Sequence, residues 1–200
     1  MSAGRALDLG QSALHVAIDM QVIFDSHPDW GVADLGRVLP EVLRLTAARP
    51  DRTVCTRFVP PRRPEDASGC WRRYYHHWPT ATLDHAGAGV IDLVPELAAL
   101  PIAGLIDKPG YSAHSSVDFA PLIKARGIDT LILSGVETDV CIWATALTAV
   151  DQGLHVIIAT DAVTSGDLKA HQMILDLAAS RFDQQIALAS VDDILAAWSS

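Results

Sequence analysis

TLILSGVETDVCIWATALTAVDQGLHVIIAT, residues Thr130–Thr160, is the stretch that decides the fold. Thr130–Leu133 is a short apolar run and reads as a buried strand. Cys141–Asp151 keeps helical spacing and stops at Gly153, a residue suited to ending a helix. His155–Ala159 is a second apolar strand. A strand, a helix and a strand in this order make parallel strands joined by a crossover helix. The same rhythm extends both ways. Upstream, Leu14–Ile18 is an apolar run ending at Asp19. Leu35–Ala48 spaces Leu35, Val38, Leu39, Val42, Leu43 and Leu45 for a helix that stops before Pro50. Thr53–Phe58 reads as a strand, and so does Gly104–Asp107, which leads into Lys108-Pro109-Gly110. Val117–Arg126 is then a helix ending at Gly127. Downstream, Asp167–Arg181 has helical spacing, Gln185–Leu188 reads as a last strand, and Val191–Trp198 as a terminal helix. The class is an α/β sandwich with helices on both faces of the sheet.

One segment breaks the rhythm. Between Val59 and Pro101 the pattern is interrupted by Pro60, Pro61, Pro64, Pro79 and Pro95, with Trp71–Trp78 the one short helix expected. Irregular excursions of this length (about 59–101) in compact domains tend to be functional or mobile. No repeat, low-complexity tract or linker divides the chain. Its 200 residues are therefore expected to form one domain, 1–200, with a core over about 14–190.

Half of the residues are hydrophobic and 20% are charged, an ordinary globular balance. The apolar runs are too short to cross a bilayer, and Met1–Gln11 has no apolar leader core. A soluble, cytoplasmic protein with no membrane partner is expected. The formal net charge of −9 argues against nucleic acid, whose phosphates call for a basic face. The three cysteines, Cys55, Cys70 and Cys141, form neither a disulfide framework nor a CxxC pattern. Seven of the 15 Lys and Arg residues fall between Arg49 and Arg73. A solvated basic loop explains them; the sharper alternative is a basic lid that draws small anions into a cleft.

In an open parallel sheet, ligands bind beyond the carboxyl ends of the strands, where strand order reverses. Asp19 follows the first strand, Lys108 the third, and Cys141 opens the helix after the fourth. All three belong at one rim. Cys55 reads as a small buried hydrophobe and Cys70 as an incidental thiol. At a helix N-terminus, Cys141 would gain thiolate character, and a nearby Lys108 would push the same way. Asp19 would then accept the thiol proton and return it to a leaving nitrogen. An ordinary ion pair at a strand end explains Asp19 and Lys108 equally well, and spacing alone leaves both readings open.

Five segments go further: Asp19-Met20-Gln21-Val22-Ile23-Phe24, Lys108-Pro109-Gly110-Tyr111-Ser112-Ala113, Ser134–Cys141, Ala144–Gly153 and Thr160–Ser165. Together they resemble the isochorismatase-like cysteine hydrolases, over about residues 14 to 190. The resemblance implies a six-stranded, mostly parallel sheet in a three-layer, Rossmann-like sandwich. It implies a catalytic triad of Asp19, Lys108 and Cys141 and a cis peptide between Val136 and Glu137. It also implies an oxyanion hole from the backbone N–H groups of Glu137 and Cys141. The activity implied is hydrolysis of a non-peptide C–N bond in a small amide, ureide or carbamoyl compound through a thioester on Cys141. A homo-oligomer, dimer or tetramer, is the usual assembly of such proteins. Asp161 matches a family position too, and a capping or turn role before the next helix explains it.

Departures narrow the expectation. Nicotinamidases carry an Asp-x-His metal pattern after the second strand, where this chain reads Thr56-Arg57-Phe58-Val59-Pro60. Adjacent His76 and His77 would point apart in a helix. No metal and no cofactor are expected. Isochorismatases proper cleave an ether and generally lack the cysteine, so Cys141 argues against that alternative; the other alternative is a non-catalytic binding or scaffold member. The missing GxGxxG argues against a dinucleotide enzyme on the same sheet type. Phe24, Trp71 and Tyr111 are candidates for the substrate pocket wall, Arg57 and Arg72 for a substrate carboxylate, and His114 for a pocket contact where relatives often carry phenylalanine. The aromatics of Trp71–Trp78 serve either the pocket or a subunit interface.

Overall fold

Strand β1 (Ala13–Ile18) is buried along its whole length, which requires an apolar layer on each side of it. The computed structural model, which describes Leu7 and residues 9–198, supplies both layers. The expectations for the leader region and the extreme C-terminus fall partly on residues 1–6, 8 and 199–200, outside the described residues. After β1 come the short helix α1 (Val22–Ser26), α2 (Leu35–Ala48) and β2 (Thr53–Phe58). The excursion then carries α3 (Gly69–His77), α4 (Leu83–Ala86) and α5 (Pro95–Ala98) before β3 (Gly104–Lys108). The remainder runs α6 (Phe119–Ala125), β4 (Thr130–Val136), α7 (Trp143–Asp151), β5 (His155–Thr164), α8 (Leu168–Arg181), β6 (Ile186–Ala189) and α9 (Val191–Ala197). Among the described residues no helix is long and apolar enough to cross a membrane.

The sheet has six strands in the order β3-β2-β1-β4-β5-β6, and all five pairings are parallel. Chain order therefore reverses between β1 and β4, which opens a crevice at their carboxyl ends. Alternation along the strands divides the core. Ala13 and Ala17 face a cluster with Leu35, Val42 and Leu45 of α2 and Val191 and Ile194 of α9. Leu14, Val16 and Ile18 face one with Phe119, Ile123, Ala146, Ala149, Leu175 and Ala178 of α6, α7 and α8. These are the two helical layers the alternating pattern predicts.

The strands flanking the crevice run further than the apolar runs indicate. β4 continues through Ser134 and Gly135 because both pair with β1, Ser134 with Ala17 and Gly135 with Ile18. Gly135 has φ +103°, and a Cβ there would lie 2.1 Å from the Ile18 carbonyl oxygen, so only glycine allows this approach. β5 continues to Thr164 after an irregularity in its register with β4. Asp161 therefore lies inside a strand, and its Oδ1 accepts the N–H of Val191 at the start of α9. It caps the last helix rather than the next one.

A polar link crosses the centre of the sheet. The ring of His15 is fully buried, with Nδ1 3.1 Å from Thr53 Oγ1 and Nε2 2.7 Å from Ser134 Oγ. Thr53 gives its own proton to the Arg49 carbonyl, so Nδ1 is the donor and Nε2 accepts from Ser134. Burial lowers the His15 pKa from 6.5 to about 3. The unfolded chain therefore binds a proton near pH 6.5 that the folded chain refuses, and stability present above that pH is lost as pH falls toward 3. Between pH 7 and pH 5 this group alone is expected to remove about 2 kcal/mol of unfolding free energy. Urea unfolding of the wild type and His15→Gln at the two pH values measures it. An equal loss in both proteins would refute the assignment.

Candidate active site

Three strand ends meet at the crevice. Asp19 leaves β1 with φ +51°, a left-handed conformation that short polar side chains tolerate better than most. Lys108 is the last residue of β3. After β4 the chain passes through a cis Val136–Glu137 peptide into a π-helical turn, Thr138–Ile142, that feeds α7. The Ile142 N–H reaches back five residues to the Glu137 carbonyl at 3.0 Å. Cys141 thus sits in the opening turn, where backbone N–H groups lack partners within the helix.

The three side chains touch. Asp19 Oδ2 lies 2.7 Å from Lys108 Nζ, and both side chains are 0% exposed. Lys108 Nζ donates to the carbonyls of Gly110 at 3.0 Å and Tyr111 at 2.9 Å, and to Cys141 Sγ at 3.5 Å. Asp19 Oδ2 shares this ammonium with those acceptors as a buried ion pair. Oδ1 is occupied: it accepts the Thr56 hydroxyl at 2.6 Å, and Thr56 Oγ1 accepts the Asp19 N–H at 3.2 Å. Oδ2 is the carboxylate oxygen that Thr56 leaves to the ammonium and the thiol.

Electrostatics correct one expectation. Burial raises the Cys141 thiol well above its ordinary range and the Asp19 charge adds to this, while Lys108 opposes both. Burial and the Asp19 charge thus oppose thiolate formation at Cys141, and the ammonium favours it. Burial pulls the Lys108 ammonium down, but Asp19 and Cys141 outweigh it and hold the ammonium above its usual value. Cys55, in the core beneath, is pushed up to about 12 by burial alone. Cys70 is exposed.

Above Cys141 lies a cavity of about 390 Å³ lined by Phe24, Asp29, Trp30, Gly31, Phe58, Tyr74, Tyr111, Glu137, Val140, Cys141 and Gly166. Cys141, 5% exposed, forms its floor. Phe24 and Tyr111 stand where the sequence indicates. Trp71 lies behind the wall, its ring 4.8 Å from Tyr111 and 6.1 Å from Phe58, and faces a neighbouring recess instead.

The remaining candidates lie outside this cavity. Arg57 is in register with Asp107 on the next strand and binds it with two nitrogens, at 2.7 and 2.9 Å. Arg72 donates to the carbonyls of Ala67 and Glu65 and so braces the approach to α3. His114 packs edge-on against Phe119, and neither ring nitrogen has a partner. Within the basic stretch, Arg62 pairs with Asp84 and Arg63 with Asp66 at the surface, and Arg73 lines the neighbouring recess. No group of His, Cys, Asp and Glu suited to a metal occurs among the described residues.

The sequence reading missed Thr56, Gln21, Trp30 and Glu137 as side chains of the site. Gln21 is fully buried, and its amide closes a pair of bonds with Phe58: Nε2 to the carbonyl at 3.1 Å, and Oε1 from the N–H at 2.7 Å. The same Nε2 donates to Ile91, which ties the excursion to the sheet. Its place two residues after Asp19 was the available signal. Trp30, in a loop without periodicity, stacks on Phe24 at 6.2 Å and 6° and approaches Tyr74 at 5.9 Å.

Residues 13–190 match the isochorismatase domain family. A 72-residue stretch is 43% identical to the probable hydrolase YcaC of Escherichia coli (strain K12), covering 35% of each chain. Over 77 residues the chain is 34% identical to maleamate amidohydrolase of Pseudomonas putida, covering 38% of this chain and 36% of that one. The matches thus span little more than a third of these relatives' own lengths. In three dimensions a cysteine hydrolase from Pseudomonas syringae pv. phaseolicola shares the fold, with a TM-score of 0.78 at 20% identity over 94% of this chain and 93% of that one.

A thiol raised by burial has a kinetic signature. Alkylation of Cys141 by iodoacetamide in the ligand-free protein is expected to be slow near pH 7. It should rise about ten-fold per pH unit beyond pH 9, since only the thiolate reacts. Peptide mapping separates Cys141 from Cys70. A plateau reached below pH 8 would show that the thiol is activated at rest.

Proposed function

The chain belongs to the isochorismatase domain family, and on that premise we propose that it is a cysteine hydrolase that cleaves the C–N bond of a small amide-type compound. The observation that carries this reading is the convergence of Asp19, Lys108 and Cys141 beneath a cavity large enough for a small molecule. The amidohydrolase named among the relatives supports a C–N bond as the one cleaved.

The chemistry follows from the geometry. When a substrate carbonyl reaches the floor, the Cys141 proton passes to Asp19 Oδ2 as Sγ attacks the carbonyl carbon. The Lys108 ammonium, already directed at Sγ, stabilises the sulfur charge as it forms. The carbonyl oxygen becomes an oxyanion facing the backbone N–H groups of Glu137 and Cys141, and each donor of this kind contributes about 3–4 kcal/mol. Collapse re-forms the carbonyl and breaks the C–N bond. The departing nitrogen takes the proton from Asp19 and leaves as ammonia or an amine. A water then gives a proton to Asp19 and adds to the thioester carbon. Collapse of that adduct releases the carboxylic acid, and the sulfur recovers its proton from Asp19. Thr56 and Lys108 fix the carboxylate throughout.

The test is intact-protein mass spectrometry with a pool of small amides, ureides and carbamoyl compounds, beside an ammonia assay. An acyl adduct mapped to Cys141 is expected, with no adduct and no release in Cys141→Ala. Asp19→Asn should lower kcat by about 10²- to 10⁴-fold, the contribution of a general base. Ammonia release that survives Cys141→Ala would rule out the thioester route.

A further inference from the structure

The cavity carries a charge opposite to the one the basic stretch suggests. Its lining includes the acidic residues Asp29 and Glu137 and, among the described residues, no Lys, Arg or His. Lys108, beside Cys141, is paired with Asp19 and also donates to Gly110 and Tyr111. Asp29 sits exposed at the mouth, with Oδ2 accepting the Thr80 hydroxyl at 2.7 Å. Glu137 is deeper. Its Oε1 accepts the Gly166 N–H at 3.0 Å and lies 3.4 Å from the Ser165 hydroxyl, whereas Oε2 accepts no hydrogen bond from the described residues. Glu137 lines the cavity; burial and the nearby Asp139 charge raise its carboxyl, against the hydrogen bonds from Gly166 and Ser165, and a cation beside it would offset that. Across from it, Phe24 and Trp30 stack, and Trp30 stands 5.9 Å from both Phe58 and Tyr74.

A carboxylate with an open oxygen among aromatic rings is a receptor for a positive charge. The carboxylate attracts it directly, and the rings attract it through their negative faces. A neutral ligand would displace water from the carboxylate without pairing its charge, and an anionic one would meet like charge. Resting on the amide-hydrolase reading, we propose that the substrate of this site is a small amide bearing a cationic nitrogen, its ammonium held by the Glu137 carboxylate against Trp30 and Tyr74. The spacer must be short. Glu137 would meet the ammonium with its side chain and the scissile carbonyl with its backbone N–H, so both ends of the ligand converge on one residue.

Three probes of similar size separate the charges: β-alaninamide (cationic), butyramide (neutral) and succinamate (anionic). The expected kcat/KM for β-alaninamide is at least ten-fold above that for butyramide, with succinamate lowest. In Glu137→Gln, which keeps the backbone N–H, the ratio of cationic to neutral should fall at least ten-fold, mainly through KM. Asp29→Asn should lower the same ratio by a smaller factor. Calorimetric titration of β-alaninamide into Cys141→Ala reads the cation subsite without turnover, and adding Glu137→Gln should weaken that binding at least ten-fold. Preferred turnover of the neutral or anionic amide, or a ratio unmoved by Glu137→Gln, overturns the proposal and leaves the hydrolase reading standing. No turnover of any amide, with calorimetric binding that depends on Glu137, overturns the hydrolase reading and supports the cation subsite. Absence of both turnover and binding overturns both.

Discussion

The buried contact between Asp19 and Lys108 is the constraint on which the rest of the site depends. Two opposite charges, both out of water, tolerate one another only while the geometry holds. That geometry comes from three strands. β1 delivers the carboxylate, β2 the Thr56 hydroxyl that fixes it, and β3 the ammonium. The loop after β3 adds the Gly110 and Tyr111 carbonyls, which hold the same ammonium beside the thiol. Removing one charge would strand the other in a low-dielectric crevice. The pair thus ties the carboxyl end of the sheet together, with Thr56 on one carboxylate oxygen and the ammonium on the other.

Much of this was legible in the sequence. Apolar strands alternating with amphipathic helices have a physical signature, and the class, the strand sequence and the rim that gathers Asp19, Lys108 and Cys141 all follow from it. The ends of β4 and β5 did not. Ser134 and Gly135 extend β4 through pairing with β1, a partnership distant in the chain and silent in local hydropathy. Thr56 and Gln21 stayed hidden for a related reason: a threonine in a strand and a glutamine after one look ordinary until their hydroxyl and amide partners are known.

The residues around the substrate were read least well. Arg57 and Arg72 drew notice for their charge, yet a cation on a surface rich in acids is more easily satisfied by a neighbour than by a ligand. Asp107 and the carbonyls of Ala67 and Glu65 take them. Glu137 went unnoticed as a side chain because its backbone held the interest. The burial of Cys141 was hidden in the same way, since position at a helix start is visible in sequence and depth in the core is not.

The Gln21 amide has a consequence for the shape of the cavity. It ties Phe58, which lines the cavity, and Ile91 of the excursion to one buried group, so this wall is fastened to the sheet. Val22 and Val94 reinforce the seam through backbone bonds to Asp92 and Met20. One side of the cavity thus takes its outline from the strand framework rather than from the irregular segment that crosses it.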